Sequence, residues 1–161
     1  MIEIIDYSDE FAADFKGINL AWLEKYHLTE SHDLEVLNDP RGTILDRGGV
    51  IYLASTGKQI VGTAALVKEQ EGVYELAKIA VIPEWQGKGI SKQLIGKCLS
   101  KAEEWKAGKI ILFSNHQLQT AINLYRKFGF EQVPVVDGPF ITADIKMELL
   151  VTQFDGSALS Y

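Results

Sequence analysis

Apolar positions follow two rhythms along the chain, and the change between them organises it. From Gly48 onward, "VIYLAS", "IVGTAALVK" and "VYELAKIAVI" are short apolar runs rich in β-branched residues, separated by "TGK" and "EQEG". This predicts three strands joined by hairpin turns into an antiparallel meander. After Pro83, Ile90, Leu94, Ile95, Cys98, Leu99, Ala102 and Trp105 fall on one stripe at helical spacing, and Gly108 ends that helix. The strand "KIILFS" follows, then a helix marked by Leu118, Ala121, Ile122, Tyr125 and Phe128 and closed by Gly129, then the strands "FEQVPV" and "TADIKMELL".

Ahead of this region the pattern is weaker. Met1 to Ile5 reads as a short strand, and Ser8 as the N-cap of a helix through Phe11 and Phe15 that Gly17 breaks. Leu20, Leu23 and Tyr26 define a second helical stretch. Leu34, Val36 and Leu37 define a third, stopped by Asp39-Pro40. These helices are expected to form one mobile flap of mixed polarity. The element order implies an α/β fold, a mixed sheet with helices on both faces. At 161 residues the chain is expected to be a single domain. Its expected parts are an N-terminal flap over 1–47, a core over 48–150 and a tail over 151–161.

Composition narrows the function classes. With 47% hydrophobic and 24% charged residues the chain reads as globular, and no apolar run approaches the roughly 20 residues of a membrane span. The acidic, strand-like N-terminus lacks the order of a secretory signal, so the expected location is cytoplasmic, with no membrane partner. A single cysteine, Cys98, excludes an internal disulfide framework. The net charge of −6 with dispersed basic residues argues against a nucleic-acid surface. Any polyanion is therefore gripped locally, by backbone N–H groups rather than by net charge.

The stretch "AVIPEWQGKGISKQL" is the place for such a grip. "EWQGKGIS" lacks the spacing of a Walker A loop. A dinucleotide fingerprint starting at Gly87 meets Lys92 at its third glycine position, and Ala107 where an acidic residue is required. A third reading lays the pyrophosphate of coenzyme A on the N-terminus of the helix that begins near Gly89. The competing explanation is a turn that needs glycine only for a positive φ.

The surrounding residues resemble the GNAT superfamily of N-acetyltransferases. "VIPEWQGKGIS" is similar to that family's Q/R-x-x-G-x-G/A signature at a V-x-P strand end, with Gln86, Gly89 and Ser91 at the three positions and Ser91 standing where Gly or Ala is usual. "AINLYRKFGF" is similar to its A-x-x-L-Y-x-x-x-G-F segment. The resemblance covers about residues 48 to 150 and looks closest to small, stand-alone bacterial members. It implies a mostly antiparallel sheet of about seven strands, splayed between the fourth and fifth. Acetyl-CoA is the implied cosubstrate, with no metal, an amine acceptor is the second substrate, and a homodimer is plausible. The implied coenzyme contacts are Ile79, Ala80 and Val81 on the fourth strand, Gln86, Gly87, Lys88, Gly89, Ile90 and Ser91 in the turn, Asn115 after the fifth strand, and Tyr125. A main-chain N–H near Val81 is expected to face the thioester carbonyl.

Two residues carry the expected catalysis. By the resemblance, Tyr125 hydrogen-bonds or protonates the departing thiolate, its phenol having a pKa of about 10 against about 8.5 for a thiol. The competing role for Tyr125 is core packing on its helix stripe. Glu75 stands where some relatives carry a general base, and alternation with Ala77, Ile79 and Val81 puts its carboxylate on the face expected to flank the thioester. The alternative for Glu75 is a solvated strand position. Lys78 is expected on the opposite face, structural or adjacent to phosphate. Asn115 equally reads as a helix cap, His116 as an exposed loop residue, and Cys98 as a core thiol. Phe140 and Thr142 stand at the Tyr and Arg positions of a Y-x-R-A-D-I-x-M pattern in close relatives, so no acceptor preference carries over from them. The function expected is transfer of an acetyl group to a primary amine of a small molecule or peptide by direct attack. The alternative is a non-catalytic acyl-CoA-binding sensor or interaction module.

Overall fold

A computed structural model describes residues 1–136 and 141–151. Phe140 and the tail from residue 152 onward lie outside the described residues. The strands are β1 (Glu3–Asp6), β2 (Val50–Ser55), β3 (Ile60–Gln70), β4 (Val73–Val81), β5 (Lys109–Ser114), β6 (Glu131–Val133) and β7 (Ile145–Leu150). The helices are α1 (Ala12–Lys25), α2 (Ser31–Asn38), α3 (Pro40–Thr43), α4 (Ile90–Glu104) and α5 (Gln119–Lys127).

All seven strands form one sheet in the order β1-β2-β3-β4-β5-β7-β6. Every neighbouring pair is antiparallel except β4–β5, which are connected through α4 and run parallel. That parallel pairing is short. It covers Val73↔Lys109, Tyr74↔Ile110 and Glu75↔Ile111, after which β4 continues to Val81 and β5 to Ser114 without pairing to each other. The sheet therefore opens between its fourth and fifth strands, as expected from the sequence.

Each face of the sheet has its own core. Leu94, Ile95 and Leu99 of α4 and Ile122 of α5 bury against Leu66, Leu76 and Ile110. On the other face Phe15, Leu37 and Ile44 bury against Ile51, Leu53 and Ala65. The expected N-terminal flap is thus a packed second layer, whose buried apolar side chains each contribute on the order of 1.5–3 kcal/mol.

Local expectations changed where tertiary packing outweighs propensity. Gly17 does not break the first helix: α1 runs unbroken from Ala12 to Lys25 and merges the first two expected stretches. A glycine costs a helix interior about 1 kcal/mol, and the burial of Phe15 and Asn19 on either side of it holds the helix together. Ser8 precedes a 3-10 turn over Asp9–Phe11 and makes no side-chain cap bond. Asp39 ends α2, and its carboxylate then accepts from the Gly42 N–H to start α3, with Pro40 at the first helical position. Trp105 lies just past α4 and packs on Tyr74, with ring centroids 5.3 Å apart.

Candidate active site

The site is organised by one irregularity in β4. Ala65 pairs with Ala77 and Thr63 with Ala80, so β4 advances three residues while β3 advances two. The extra residue makes a bulge at Lys78, whose φ is +54°, and the Thr63 hydroxyl donates to the Lys78 carbonyl at 2.7 Å. A bulge resets the alternation of side chains beyond it. Glu75 and its partner Val67 face the α1–α3 layer, whereas Ile79 and Val81 pack into the core on the α4 side. The expectation that Glu75 shares a face with Ile79 and Val81 is therefore corrected. Lys78 is corrected as well: its ammonium reaches Asp33 of α2, on the side of Glu75, not away from it.

Two adjoining cavities flank the opened strands. The outer one, of about 390 Å³, is bounded by Ile79, Ala80 and Val81 of β4, by Gln86, Gly87, Gly89, Ile90 and Ser91 of the turn, and by Tyr125 of α5. Gln86 Nε2 donates to the Val81 carbonyl at 2.9 Å and ties the turn to the strand end. Gly87 and Gly89 have φ of +77° and +78°, and a Cβ built at either meets no atom within 4 Å. The glycines supply the left-handed backbone that the turn requires and leave clear space above it. Gly89 caps α4, so the orphan N–H groups of the first helical turn lie beside this cavity. Lys88 does not line it, and its ammonium lies 5.9 Å from the centre of the Trp85 ring.

The inner cavity, of about 120 Å³, is bounded by Asn19 and Trp22 of α1, Asp33 of α2, Glu75 and Lys78 of β4, Phe113 of β5, and Asn115, Tyr125 and Thr142. Trp22, Ile79, Leu118 and Tyr125 line both cavities and form the joint between them. Two of the four come from the gap itself, Ile79 on β4 and Tyr125 on the helix that follows β5.

Charge in the inner cavity is concentrated on three groups. Glu75 is only 5% exposed, and burial, followed by a hydrogen bond and repulsion from Glu69, pushes its carboxyl up to about 8. The solvated-strand alternative for Glu75 is therefore excluded. Asp33 Oδ1 and Lys78 Nζ form a buried ion pair at 2.5 Å. Asp33 Oδ2 also accepts from the Glu30 N–H, the reciprocal half of a capping box at the start of α2. Glu30 in turn holds the chain before β7, accepting from the Ile141 and Thr142 N–H groups at 2.7 and 2.8 Å and from the Thr142 hydroxyl. Tyr125 is buried, and desolvation raises its phenol pKa.

Asn115 opens on the inner rather than the outer cavity. Its Nδ2 donates to the Thr142 carbonyl at 2.8 Å and its Oδ1 accepts from the Gln117 N–H at 3.0 Å. It does not cap α5, which begins at Gln119 with Leu118 in the cap position. His116 is exposed and bonded to Asp144 at 2.5 Å. Cys98 lies on the buried face of α4, where desolvation raises its thiol pKa.

Sequence reasoning missed Asp33, Asn19 and Trp22, because no local pattern brings α1 and α2 to the gap in β4. The one available signal was the Glu30/Asp33 spacing of a capping box. Lys92, in the first turn of α4, lines the outer cavity and was also missed.

The model of the acetyltransferase (GNAT) family matches residues 12–130. The chain is 32% identical over 114 residues to the uncharacterized N-acetyltransferase YvbK of Bacillus subtilis, a match spanning 69% of this chain and 73% of that one. It is 32% identical over 105 residues to the uncharacterized N-acetyltransferase Rv2669 of Mycobacterium tuberculosis, spanning 65% and 63%. Among solved structures, a GNAT-family acetyltransferase of Staphylococcus aureus superposes with a TM-score of 0.86 at 21% identity, covering 94% of this chain and 99% of that one. A PaiA N-acetyltransferase of Thermoplasma acidophilum in complex with coenzyme A superposes with a TM-score of 0.73 at 18% identity, covering 93% and 99%. The chain belongs to the acetyltransferase (GNAT) family.

Proposed function

We propose that the protein transfers the acetyl group of acetyl-CoA to a primary amine of a small molecule or peptide by direct attack, with the coenzyme in the outer cavity and the amine in the inner one. The observation that carries this reading is the position of Tyr125, which borders both cavities while Glu75 lies buried in the inner one. The residues present suit the coenzyme. The glycine turn leaves open space beside the helix N-terminus for phosphates, and the unpaired stretch of β4 offers backbone groups to an extended amide-bearing arm. The complex of the Thermoplasma relative with coenzyme A supports the same choice.

Bound acetyl-CoA supplies an acetyl group already activated as a thioester. The chain supplies proton management and geometry. A primary amine with a pKa near 10.4 is mostly protonated at neutral pH and is not a nucleophile until it loses a proton. Glu75, raised toward 8, is a carboxylate whose basicity approaches that task, and it faces the inner cavity. Tyr125 stands at the joint and gives its phenolic proton to the departing sulfur. Ile79, Trp22 and Leu118 line that joint and limit water there. Cys98 takes no part, since it lies in the core with its thiol held protonated.

The test is to mix the protein with acetyl-CoA and benzylamine, putrescine or an alanyl peptide across a range of pH, following free thiol and N-acetylated product together. One thiol per acetylated amine is expected, with kcat/KM rising with pH. Coenzyme binding with no thiol release from any amine at any pH would instead leave a binding module.

A further inference from the structure

We propose that Glu69 is the outlet through which the proton taken up by Glu75 reaches solvent. The inference rests on the reading of Glu75 as the base. A base buried to 5% exposure must also discharge its proton after each turnover.

The geometry provides a second carboxyl group for this. β3 and β4 pair as Val67↔Glu75, Lys68↔Tyr74 and Gln70↔Val73, so β3 carries one extra residue there, and that residue is Glu69. The register leaves the Glu69 side chain on the face of Glu75 on the neighbouring strand, and after burial Glu69 is the group that does most to raise the Glu75 pKa. Glu75 borders the inner cavity and is buried, whereas Glu69 is exposed and borders neither cavity. The pair therefore spans the distance from the site to bulk water in one step. The other ionisable groups facing Glu75 are Lys78 on its own strand, Asp33 on α2 and Tyr125 on α5 across the cavity. The α1 and β5 residues lining the cavity carry none. Lys78 and Asp33 are occupied with each other inside the protein, and Tyr125 points to the joint, so Glu69 is the group that leads outward.

The proton balance is complete without another reactant. An ammonium acceptor and a thioester give an amide, a thiol and one proton. The nitrogen loses two protons along the way. The first passes to Glu75, freeing the lone pair that forms the C–N bond. The second replaces the proton that Tyr125 gives to the sulfur as the C–S electron pair departs with it. Glu75 passes the first proton to Glu69, and Glu69 to water, which restores the carboxylate for the next cycle.

Two measurements on the protein and its Glu69→Gln and Glu75→Gln variants test this. The first is titration of 13C-labelled glutamate side chains by NMR, with the Glu75 resonance assigned by its absence from Glu75→Gln. Loss of the neighbouring carboxyl is expected to lower the Glu75 midpoint by about one pH unit. The second is turnover of the best of the three amines named above as a function of buffer concentration. Glu69→Gln is expected to lose roughly 3- to 10-fold at low buffer and to regain it with added imidazole, which carries the proton instead. A merely solvated Glu69 moves neither reading. An unaltered Glu75 midpoint, or unaltered and buffer-independent turnover, in Glu69→Gln beside an impaired Glu75→Gln overturns the outlet and leaves the base. An unimpaired Glu75→Gln overturns both.

Discussion

Glu75 holds a carboxyl group where an apolar side chain would be the stable choice, and this has a cost in the folded state. Its pKa is raised from about 4.5 to about 8 by burial and by Glu69. Between those values the native chain keeps the proton and the unfolded chain releases it, so folding stability falls as pH rises through that window. The stability is fully present below about 4.5 and lost by about pH 8. Glu75→Gln keeps the shape and removes the titration. It is expected to be more stable than the parent at pH 8 to 9 by a few kcal/mol, with the advantage shrinking toward pH 5; thermal unfolding across that range checks it. Tyr125 answers a different question. Tyr125→Phe retains the ring that packs on Phe130 at a 6.1 Å centroid distance and removes only the hydroxyl, so kcat is expected to fall roughly 10- to 1,000-fold with the fold intact. Unchanged kcat with chemistry rate-limiting would return Tyr125 to the core. The residue types and positions of Glu75 and Tyr125 were legible in the sequence, through their place before the glycine turn and in "INLYRKFGF". The environment of Glu75 was not, since its burial depends on α1 and α2 closing over the strand.

At the scale of elements, β4 does most to shape the site. Its bulge at Lys78 interrupts an alternation that the sequence, read with a strict period of two, carries straight through to Val81. Nothing local signals the extra residue, because the left-handed φ falls on a lysine rather than a glycine. The glycine turn is the opposite case, since positive φ and open space both follow from residue type. Gly89→Val forces a β-branched side chain into a left-handed position beside the first turn of α4. Coenzyme A affinity is expected to drop at least about 10-fold in calorimetry while the helix survives, the backbone strain being on the order of 1–3 kcal/mol. The α2 start works as a clamp on the inner cavity, running from Thr142 through Glu30 and Asp33 to Lys78. Glu30→Gln leaves one acceptor oxygen in place of two and removes the charge. The KM for the amine is expected to rise roughly 3- to 30-fold with coenzyme affinity unchanged, and an equal loss in both would mean a general structural role.

Over the whole molecule, the order of strands and helices was readable from the chain because hairpin turns, helix stops and apolar periods agree with one another from β2 to α5. The N-terminal layer was not, because α1 carries a glycine and a weak apolar stripe and is held by contacts distant in sequence, such as the Asn19 amide on the Thr63 hydroxyl at 3.0 Å. That layer brings Trp22, Asn19 and Asp33 to a gap that the core alone leaves half-built. In the proposed function the two cavities divide the work, coenzyme on the side of the turn and amine on the side of Glu75, with Tyr125 lining both. The division is tested most directly by measuring coenzyme A affinity and acetyl-transfer turnover side by side in the parent and in Glu75→Gln. Affinity is expected to stay within about twofold, while turnover at neutral pH falls on the order of 100-fold and recovers in part at high pH, where the amine is already neutral. Coenzyme affinity lost together with Glu75, or turnover kept without it, would contradict the account.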